Sequence, residues 1–456
     1  MHELDIVILA AGKGTRMRSQ TPKVLHTLAG KPMVQHVLET ASGLQPDRTH
    51  VVIGHGAEQL REALADTAVQ FAVQAEQKGT GHAVAQALEQ LGSGKVLILY
   101  GDVPLLQRDS LRELLAQVDE QHIGLLTVTL DDPTGYGRIV RNDAGHAVAI
   151  VEQKDANSAQ LEITECNTGI MAMTSAQLKR WLPQLSAENA QGEYYLTDVI
   201  AMAADEGIKV CTTQPATAVE VEGVNNRAQM ARLERAYQQQ LADKLMAEGV
   251  ALADPARLDV RGRLTCGHDV FIDVGCVFEG DVELGEGVRI GPYCVIKNST
   301  IGAESMVDTH SVIEGSVAAG LNQIGPCARL RPGTRLAVKA KVGNFVETKN
   351  ADVGEGSKIN HLSYVGDARL GRDVNVGAGT ITCNYDGANK HHTEIGDNAF
   401  IGSNTALVAP VSVGKGATVG AGSTIAKDVT DYALAVTRGR QLEKIDWLRP
   451  SKRTEP

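Results

Sequence analysis

The chain has 456 residues, of which 43% are apolar and 22% charged; this is typical of a globular protein long enough for two domains of about 200 residues each. No apolar run approaches the ~20 residues of a membrane span, and residues 1–5 lack the basic flank of a signal peptide. We therefore expect a cytoplasmic protein without a membrane span. The formal net charge of −11 argues against nucleic-acid binding, because a surface that follows phosphates needs a positive field.

The first half of the chain alternates β-rich runs with helix-forming stretches, which predicts an α/β, Rossmann-like domain. We expect strands at 5–9, 49–53, 96–99 and 124–130, and helices at 33–42 and 81–91. From residue 227 to 248, apolar side chains recur every three or four positions, and Gly249 follows. This pattern predicts one long linker helix with a glycine stop. The expected domains are therefore 1–226 and 249–456, with the helix 227–248 between them.

Beyond Gly249 the apolar period changes to six residues. A six-residue step is typical of hexapeptide repeats in a parallel β-helix, where aliphatic anchors point inward and, we expect, glycine turns the corners. An insertion at 384–390 lacks an anchor and predicts a loop, which is a usual place for a site. The anchors are Leu284, Ile290, Ile296, Ile301, Val307, Ile313, Ile324, Leu330, Leu336, Val342, Val353, Ile359, Val365, Leu370, Val376, Ile395, Ile401, Leu407, Val413, Val419 and Ile425.

A glycine-rich turn follows the first predicted strand, with Gly12 and Gly14 in it and the cations Arg16 and Lys23 close behind. Backbone N–H groups in such a turn can approach phosphates. The turn lacks the Gly-Lys-Ser/Thr ending of a P-loop, and a dinucleotide fingerprint would need glycine where Met17 stands. The pattern therefore predicts a phosphate site of another class.

The segment Leu9 to Met17 with Pro22-Lys23 resembles the signature of sugar-nucleotide pyrophosphorylases. The resemblance implies uracil contacts at 74 and 79–80, a metal aspartate at 102 with a second metal ligand at 225, and sugar contacts at 137, 152 and 167. The nucleotide and nucleotide-sugar contacts so implied are Leu9, Ala10, Ala11, Gly12, Arg16, Lys23, Gln74, Gly79, Thr80, Tyr100, Gly101, Asp102, Gly137, Glu152, Asn167 and Asn225. Mg²⁺ on Asp102 and Asn225 would bridge the phosphates.

The second half carries polar residues that a passive solenoid does not need. Together they resemble the acetyltransferase half of the bifunctional N-acetylglucosamine-1-phosphate uridyltransferase and glucosamine-1-phosphate acetyltransferase family, whose β-helix is left-handed. By that resemblance His361 is the general base, a role that suits imidazole because its ordinary pKa is roughly 6.5. The implied sugar-phosphate contacts are Arg331, Lys349, Tyr364 and Asn375, and the implied acetyl-CoA contacts are Ala378, Asn384, Tyr385, Ser403, Ala421 and Arg438.

Two further readings concern single residues. Glu347 is a candidate for orienting His361, although spacing alone does not decide it. His391-His392 lacks a third metal ligand, which favours a solvated loop. The seven cysteines include no CxxC pair, and this predicts small buried residues in a reducing compartment.

The resemblance implies two reactions in sequence. Glucosamine-1-phosphate is acetylated from acetyl-CoA, and N-acetylglucosamine-1-phosphate then receives a uridylyl group from UTP with Mg²⁺, which yields a precursor of the cell wall. It also implies a homotrimer with the acetyl site between subunits. Two alternatives stay open at this point: a single-activity pyrophosphorylase with a non-catalytic β-helix, and a non-enzymatic regulatory subunit.

Overall fold

A computed structural model of the protein describes residues 3–449. The chain divides into two compact units, Met1–Gln240 and Leu241–Pro456. The division falls within a single helix, Arg227–Ala247, which coincides with the predicted linker to within one residue at its end. None of the helices in the described part of the chain combines the length and the apolar character that a membrane span requires.

The first unit is built on a nine-stranded mixed sheet. Its strands, together with the two short strands β2 and β3 that pair only with each other, are β1 Leu4–Leu9, β2 Thr27–Leu28, β3 Lys31–Pro32, β4 Arg48–Ile53, β5 Gln70–Val73, β6 Lys95–Tyr100, β7 His122–Thr129, β8 Arg138–Arg141, β9 Ala147–Val151, β10 Glu165–Thr174 and β11 Lys209–Thr213. The sheet order is β11-β7-β10-β6-β1-β4-β5, with β8 beside β10 and β9 beside β8. β1 pairs in parallel with both β4 and β6.

Helices cover both faces of this sheet, as the interior of β1 shows. Ile6, Val7 and Ile8 are all fully buried; Ile6 and Ile8 belong to one core cluster and Val7 to another. Alternate residues of a strand point to opposite faces, so a strand buried on both sides must be apolar throughout. The α-helices within residues 3–449 are α1 Met33–Ser42, α2 Ala57–Ala63, α3 Thr80–Ala85, α4 Arg108–Ala116, α5 Ser158–Leu161, α6 Ser175–Trp181, α7 Val199–Asp205 and α8 Arg227–Ala247.

The four predicted strands and the helix at 33–42 are confirmed to within two residues at each end. The helix expected over 81–91 is wrong in its second half, because α3 ends at Ala85 and a separate 3₁₀ turn covers Leu88–Gln90. Between them the amides of Gln86 and Ala87 bond to carbonyls three residues back. This tighter pattern ends an α-helix.

The second unit is a parallel β-helix. Its strands are β12 Ala251–Leu252, β13 Leu258–Cys266, β14 Phe271–Ile272, β15 Cys276–Leu284, β16 Arg289–Ile290, β17 Val295–Ile301, β18 Met306–Val307, β19 Val312–Glu314, β20 Val317–Ala318, β21 Gln323–Ile324, β22 Arg329–Leu330, β23 Arg335–Leu336, β24 Lys341–Asn344, β25 Glu347–Val353, β26 Lys358–His361, β27 Tyr364–Leu370, β28 Asn375–Val376, β29 Ile381–Cys383, β30 Thr393–Ile395, β31 Phe400–Ile401, β32 Ala406–Val408, β33 Val411–Val413, β34 Thr418–Val419, β35 Thr424–Ile425 and β36 Leu434–Ala435.

One coil of the β-helix takes 17 or 18 residues, as residue 289 pairs with 306 and residue 323 with 341. The predicted insertion interrupts this step, because Asn375 pairs with Phe400, 25 residues further on. Every predicted anchor is at most 4% exposed. The six-residue period therefore marks the core of the coil stack, as expected.

The expectation that glycine turns the corners is wrong in part. Several corners with positive φ carry other residues, such as Tyr293 at 59° and His310 at 58°. The glycines that follow the anchors are instead required by the close approach of the next coil. A Cβ on Gly285, for example, would lie 2.6 Å from the backbone nitrogen of Ala303. Close packing between coils, rather than backbone twist, excludes a side chain there.

The first half of α8 belongs to the core of the first unit. Met230 and Leu233 are buried in a cluster with Met33 and Val224. A boundary at residue 226, as predicted from the sequence, would leave these two side chains outside the first domain.

We predict that a fragment of residues 1–240 is more stable than one of residues 1–228. The longer fragment keeps Met230 and Leu233 packed, and each buried side chain contributes about 1.5–3 kcal/mol. Urea unfolding of both fragments measures the difference. Equal unfolding midpoints would place the end of the first domain at the start of α8.

Candidate active sites

The predicted N-terminal site lies at the carboxyl ends of the parallel strands β1, β5 and β6. Leu9 and Tyr100 pair in register at the ends of β1 and β6, and Gln74 directly follows β5. Parallel strands deliver their following loops to one edge of the sheet. A cavity of about 370 Å³ lies at this edge. Eleven predicted residues line it: Leu9, Ala10, Ala11, Gly12, Lys23, Gln74, Gly79, Thr80, Tyr100, Asp102 and Asn225.

Gly14 allows the glycine-rich loop to fold back over Lys23. Its φ is 58°, and a Cβ at this position would lie 2.6 Å from Cβ of Lys23. A short 3₁₀ turn, Thr15–Met17, follows at once. The loop therefore needs glycine for its backbone conformation and for the space that it leaves to the lysine.

Four predicted residues from distant parts of the chain meet in the first unit. Lys23 forms an ion pair with Asp102, and both side chains are at most 16% exposed. Asn225 Oδ1 accepts hydrogen bonds from Arg16 Nη2 at 2.9 Å and from Lys23 Nζ at 3.4 Å. The two proposed metal ligands thus direct oxygen atoms at the same lysine ammonium group.

This donor set suits a magnesium ion. Mg²⁺ prefers oxygen ligands and binds through one or two carboxylates, with phosphates and waters completing the shell. Asp102 offers a carboxylate and Asn225 an amide oxygen, and both already face a cation. The residues present therefore fit Mg²⁺.

The segment around Gln74 is held by contacts that the sequence did not indicate. Gln74 is 3% exposed, and its Nε2 donates to the Gly79 carbonyl at 3.1 Å and lies 3.1 Å from His82 Nδ1. The backbone of Tyr194 bonds to both Lys78 and Gly81, which brings neighbouring Glu193 to the cavity wall.

Sequence reasoning missed four residues of the cavity wall, namely Val24, Gln77, Ala83 and Glu193. Gln77 and Ala83 flank the predicted residues 79–80 and could have been included by proximity. Glu193 lies more than a hundred residues further along the chain, and nothing in the local pattern marks it.

Five predicted residues lie outside the cavity wall, namely Arg16, Gly101, Gly137, Glu152 and Asn167. Gly137 and Asn167 are joined by a 2.8 Å backbone hydrogen bond. The Thr197 hydroxyl donates to Glu152 Oε1 at 3.4 Å, and a Cβ on Gly137 would lie 3.3 Å from the same oxygen. The three predicted sugar contacts therefore form a group of their own.

Tyr100 connects this group to the cavity. Burial raises the pKa of its phenol, and the charges of Glu152 and Asp102 act in the same direction. Burial also raises the pKa of the Glu152 carboxyl, with the charges of Asp155 and Asp198 adding to the shift and the Thr197 hydroxyl opposing it. Tyr100, which lines the cavity, is therefore influenced both by Glu152 of the predicted sugar contacts and by Asp102.

In the second unit, His361 ends strand β26 and is exposed. Its Nδ1 lies 2.7 Å from Oδ1 of Asn344, the residue that pairs with it in the preceding coil. Because the amide oxygen is an acceptor, this contact pairs with a proton on Nδ1, which in the neutral ring leaves the lone pair on Nε2. The imidazole is therefore held as the tautomer that a general base at Nε2 requires.

The suggestion that Glu347 orients His361 stays a prediction, because the hydrogen bonds of the structure pair Glu347 with Arg331 and the imidazole with Asn344. Glu347 Oε1 accepts from Arg331 Nη1 at 2.8 Å, and Asn344 takes the position beside the imidazole. Sequence reasoning missed Asn344, because its closeness to His361 depends on the register between coils.

Two predicted cations of the second unit stand in one group with a third that was not predicted. The nearby Lys390 ammonium group and the charge of Arg331 lower the pKa of the Lys349 ammonium group. Crowded like charges of this kind are typical of an anion site. Lys390 closes the predicted insertion 384–390, so its charge could have been noticed in the sequence.

Tyr364 and Asn384 also meet, with Asn384 Nδ2 at 3.4 Å from Tyr364 Oη. Asn384 is 8% exposed, whereas Tyr385 is exposed and its hydroxyl donates to the Gly387 carbonyl at 2.6 Å. The loop thus presents one predicted residue inward and the next outward.

The remaining predicted residues of this unit follow a column along one corner of the β-helix. The amide of Gly379 bonds to the His361 carbonyl, that of Asn404 to Ala378 and that of Gly422 to Ser403. Each bond steps one coil along the stack, and Arg438 lies against Gly420 and Gly422 beside Ala421. Asn375 lies outside this column. It is on β28, where it pairs in register with Lys358 of β26.

The His391-His392 pair carries no metal cluster. His391 Nε2 lies 2.7 Å from Asp386 Oδ2, and within residues 3–449 no group of three His, Cys, Asp or Glu side chains is arranged to hold an ion. The cysteines are free; Cys166, Cys276 and Cys294 are buried, but the other four are partly exposed, so the expectation of uniform burial is wrong for them.

Comparison with known proteins identifies both halves. Residues 6–187 match the MobA-like NTP transferase domain, and residues 264–298 and 392–427 match the bacterial transferase hexapeptide family. A solved structure of an inositol-1-phosphate CTP transferase from T. maritima is 19% identical, with a TM-score of 0.41, and the match covers 51% of this chain and 97% of that one.

Curated relatives match over nearly the whole length. A protein named bifunctional protein GlmU from Chromohalobacter salexigens is 70% identical, covering 98% of this chain and 99% of that protein. The protein of the same name from Marinobacter nauticus is 60% identical, covering 99% and 100%. At this identity and coverage the chain belongs to the GlmU family of bifunctional proteins, with a nucleotidyltransferase half and a hexapeptide transferase half.

Proposed function

We propose that the two units catalyse consecutive steps in the synthesis of UDP-N-acetylglucosamine. The second unit acetylates glucosamine-1-phosphate from acetyl-CoA, and the first transfers a uridylyl group from UTP to N-acetylglucosamine-1-phosphate. The observation that carries the proposal is the meeting of Arg16, Lys23, Asp102 and Asn225 at the sheet edge of a chain whose relatives are bifunctional. We place the protein in the cytoplasm, where these metabolites are made.

In uridylyl transfer an oxygen of the sugar phosphate attacks the α-phosphorus of UTP, and the bond to the β-phosphate breaks. The departing pyrophosphate gains charge, which Arg16, Lys23 and the amides of the glycine-rich loop are placed to bind. Gln74 and Thr80 also line the cavity, where an amide and a hydroxyl can hydrogen bond to a base. No protein nucleophile is needed for this displacement.

Asp102 and Asn225 would hold Mg²⁺, which when bound neutralises phosphate charge. Lys23 contacts both of these oxygens in the structure. Its ammonium group is therefore within reach of any phosphate that binds beside them.

We predict that Asp102→Ala abolishes pyrophosphate release and leaves CoA release unchanged, because it removes the only anionic ligand proposed for Mg²⁺. Binding of Mn²⁺, followed by electron paramagnetic resonance, should fall with it. Asp109→Ala, which alters an exposed aspartate of α4, serves as the control and should retain both activities. Uridylyl transfer by a folded Asp102→Ala variant at the parental rate would contradict the assignment.

In acetyl transfer the amine of glucosamine-1-phosphate attacks the thioester carbonyl of acetyl-CoA. The C–N bond forms, the C–S bond breaks, and His361 Nε2 accepts the proton that the amine loses. Asn344 supports this role because it keeps the other ring nitrogen protonated. The leaving thiolate takes up a proton and departs as CoA.

The cations Arg331, Lys349 and Lys390 suit the phosphate of the sugar. Their mutual repulsion in the free protein would be relieved by a bound dianion, which favours binding. The corner column through Ala378, Ser403 and Ala421 suits an extended thioester carrier, since each coil adds about 4.8 Å along the stack.

We predict that His361→Ala lowers the kcat of acetyl transfer by at least about 100-fold, the usual contribution of a positioned base. Uridylyl transfer and the melting temperature should not change, because His361 is exposed. His392→Ala is the matched control, an exposed histidine paired loosely with Glu394. A stable His361→Ala protein with acetylation within about threefold of the parent would leave the β-helix as a passive scaffold.

We further propose a homotrimer with the acetyl site between subunits. Phe345 and Leu362 flank Asn344 and His361 and are 60% and 62% exposed, which suits coverage by another copy. Sedimentation velocity should give three times the chain mass at micromolar concentration. A monomer at all concentrations, with full acetyl transfer, would contradict the proposal.

The two alternatives are disfavoured by the relatives. A passive β-helix or a non-enzymatic subunit would not be expected in a chain that matches proteins named as bifunctional at 60–70% identity over almost their whole length.

A further inference from the structure

We propose that Asp367 is a positioning residue of the acetyl-transfer site, which holds the Asn384 side chain and offsets part of the positive charge of Lys349 and Lys390. The inference rests on the proposed acetyltransferase function and adds a residue to it.

Asp367 occupies a corner of the β-helix with φ at 46°. One carboxylate oxygen accepts a hydrogen bond from Asn350 Nδ2 at 2.7 Å, and the other accepts one from Asn384 Nδ2 at 2.5 Å. The three residues are spaced 17 apart, so each belongs to a successive coil. The carboxylate thus joins three coils at one corner.

Asn384 depends on this carboxylate for its orientation. It is almost fully buried, and a buried amide needs a partner. Its other side-chain contact, to Tyr364 Oη at 3.4 Å, is long, so the bond to Asp367 is the stronger of the two. Without the carboxylate the amide would lose the contact that fixes its direction.

The same contact anchors the insertion loop. The Asn384 carbonyl accepts a hydrogen bond from the His391 amide at 2.8 Å, so this bond joins the two ends of the loop. Tyr385 and Lys390 lie between these ends. Fixing Asn384 to Asp367 therefore fixes the base of the segment that carries a proposed acetyl-CoA contact and a proposed phosphate contact.

Asp367 also lies among cations. Burial would raise the pKa of its carboxyl, but the hydrogen bonds from Asn350 and Asn384 and the charges of Lys390 and Lys349 outweigh burial and lower it. The group is therefore ionised at neutral pH, and its charge offsets part of the repulsion between the two lysines. Loss of this charge leaves the phosphate site more positive.

These two roles predict a split in the kinetics of Asp367→Asn, which keeps the shape and removes the charge. The kcat of acetyl transfer should fall at least about tenfold, as for a displaced catalytic contact. The KM for glucosamine-1-phosphate should stay constant or fall, because the cations lose a competing anion. Asp373→Asn is the matched control, an exposed corner aspartate with φ at 52°, and should match the parent.

A double-mutant cycle with Asn384→Ala tests whether Asp367 acts through Asn384. Asp367→Asn should add little to the loss already caused by Asn384→Ala, since residues that act as a unit are not additive. Losses that multiply, or a single Asp367→Asn variant within about threefold of the parental kcat, overturn the inference.

A second variant, Asn350→Ala, tests the inference without altering Asp367 itself. It removes one hydrogen-bond donor to the carboxylate and leaves the carboxylate in place. It should cost a smaller factor, about threefold in kcat, that is also absorbed by Asn384→Ala; an independent loss counts against the inference. Uridylyl transfer and the melting temperature are measured on every variant. Failure of the parent to release CoA would refute the proposed function itself, whereas an active parent, an inactive His361→Ala and an unaffected Asp367→Asn would refute only the role of Asp367.

Discussion

Parallel pairing of backbone strands is the constraint on which both candidate sites depend. In the first unit, β1, β5 and β6 run in one direction and deliver their following loops to a common edge, where a cavity forms. In the second unit, parallel pairing repeats every 17 or 18 residues and sets side chains from successive coils beside one another. Asn344 meets His361, and Asp367 meets Asn350 and Asn384, because the register sets these residues at matching positions of adjacent coils.

Positive charge is concentrated at the two candidate sites of a chain that is negative overall. The formal net charge is −11, yet each candidate site gathers cations: Arg16 and Lys23 in one, Arg331, Lys349 and Lys390 in the other. Each group also holds acidic or amide oxygens, at Asp102 and Asn225 and at Glu347 and Asp367. The cations of each candidate site thus stand beside oxygen atoms that fix their positions, an arrangement that suits the binding of phosphate groups.

The sequence alone was sufficient for the architecture of both units. Alternating apolar runs predicted α/β structure, the six-residue period predicted the coil stack, and all anchors are buried. These patterns are local and repeated, so they survive without knowledge of contacts. Helix 81–91 failed, because the tighter hydrogen bonding after Ala85 has no counterpart in the apolar period.

The candidate sites were predicted less completely, and the reason is distance along the chain. The motif residues around Leu9 and Lys23 were identified from the sequence, because they are close together in one loop and their residue types form a recognisable local pattern. The contact of Arg16 with Asn225 spans 209 residues, and only folding brings them together. Glu193 owes its place to the backbone bonds of Tyr194 with Lys78 and Gly81, and Asn344 and Asp367 owe theirs to neighbouring coils. The sequence by itself determined the periods, the loop chemistry and the family, while the tertiary structure decided which side chains share a site, because register and strand order set contacts that no local pattern records.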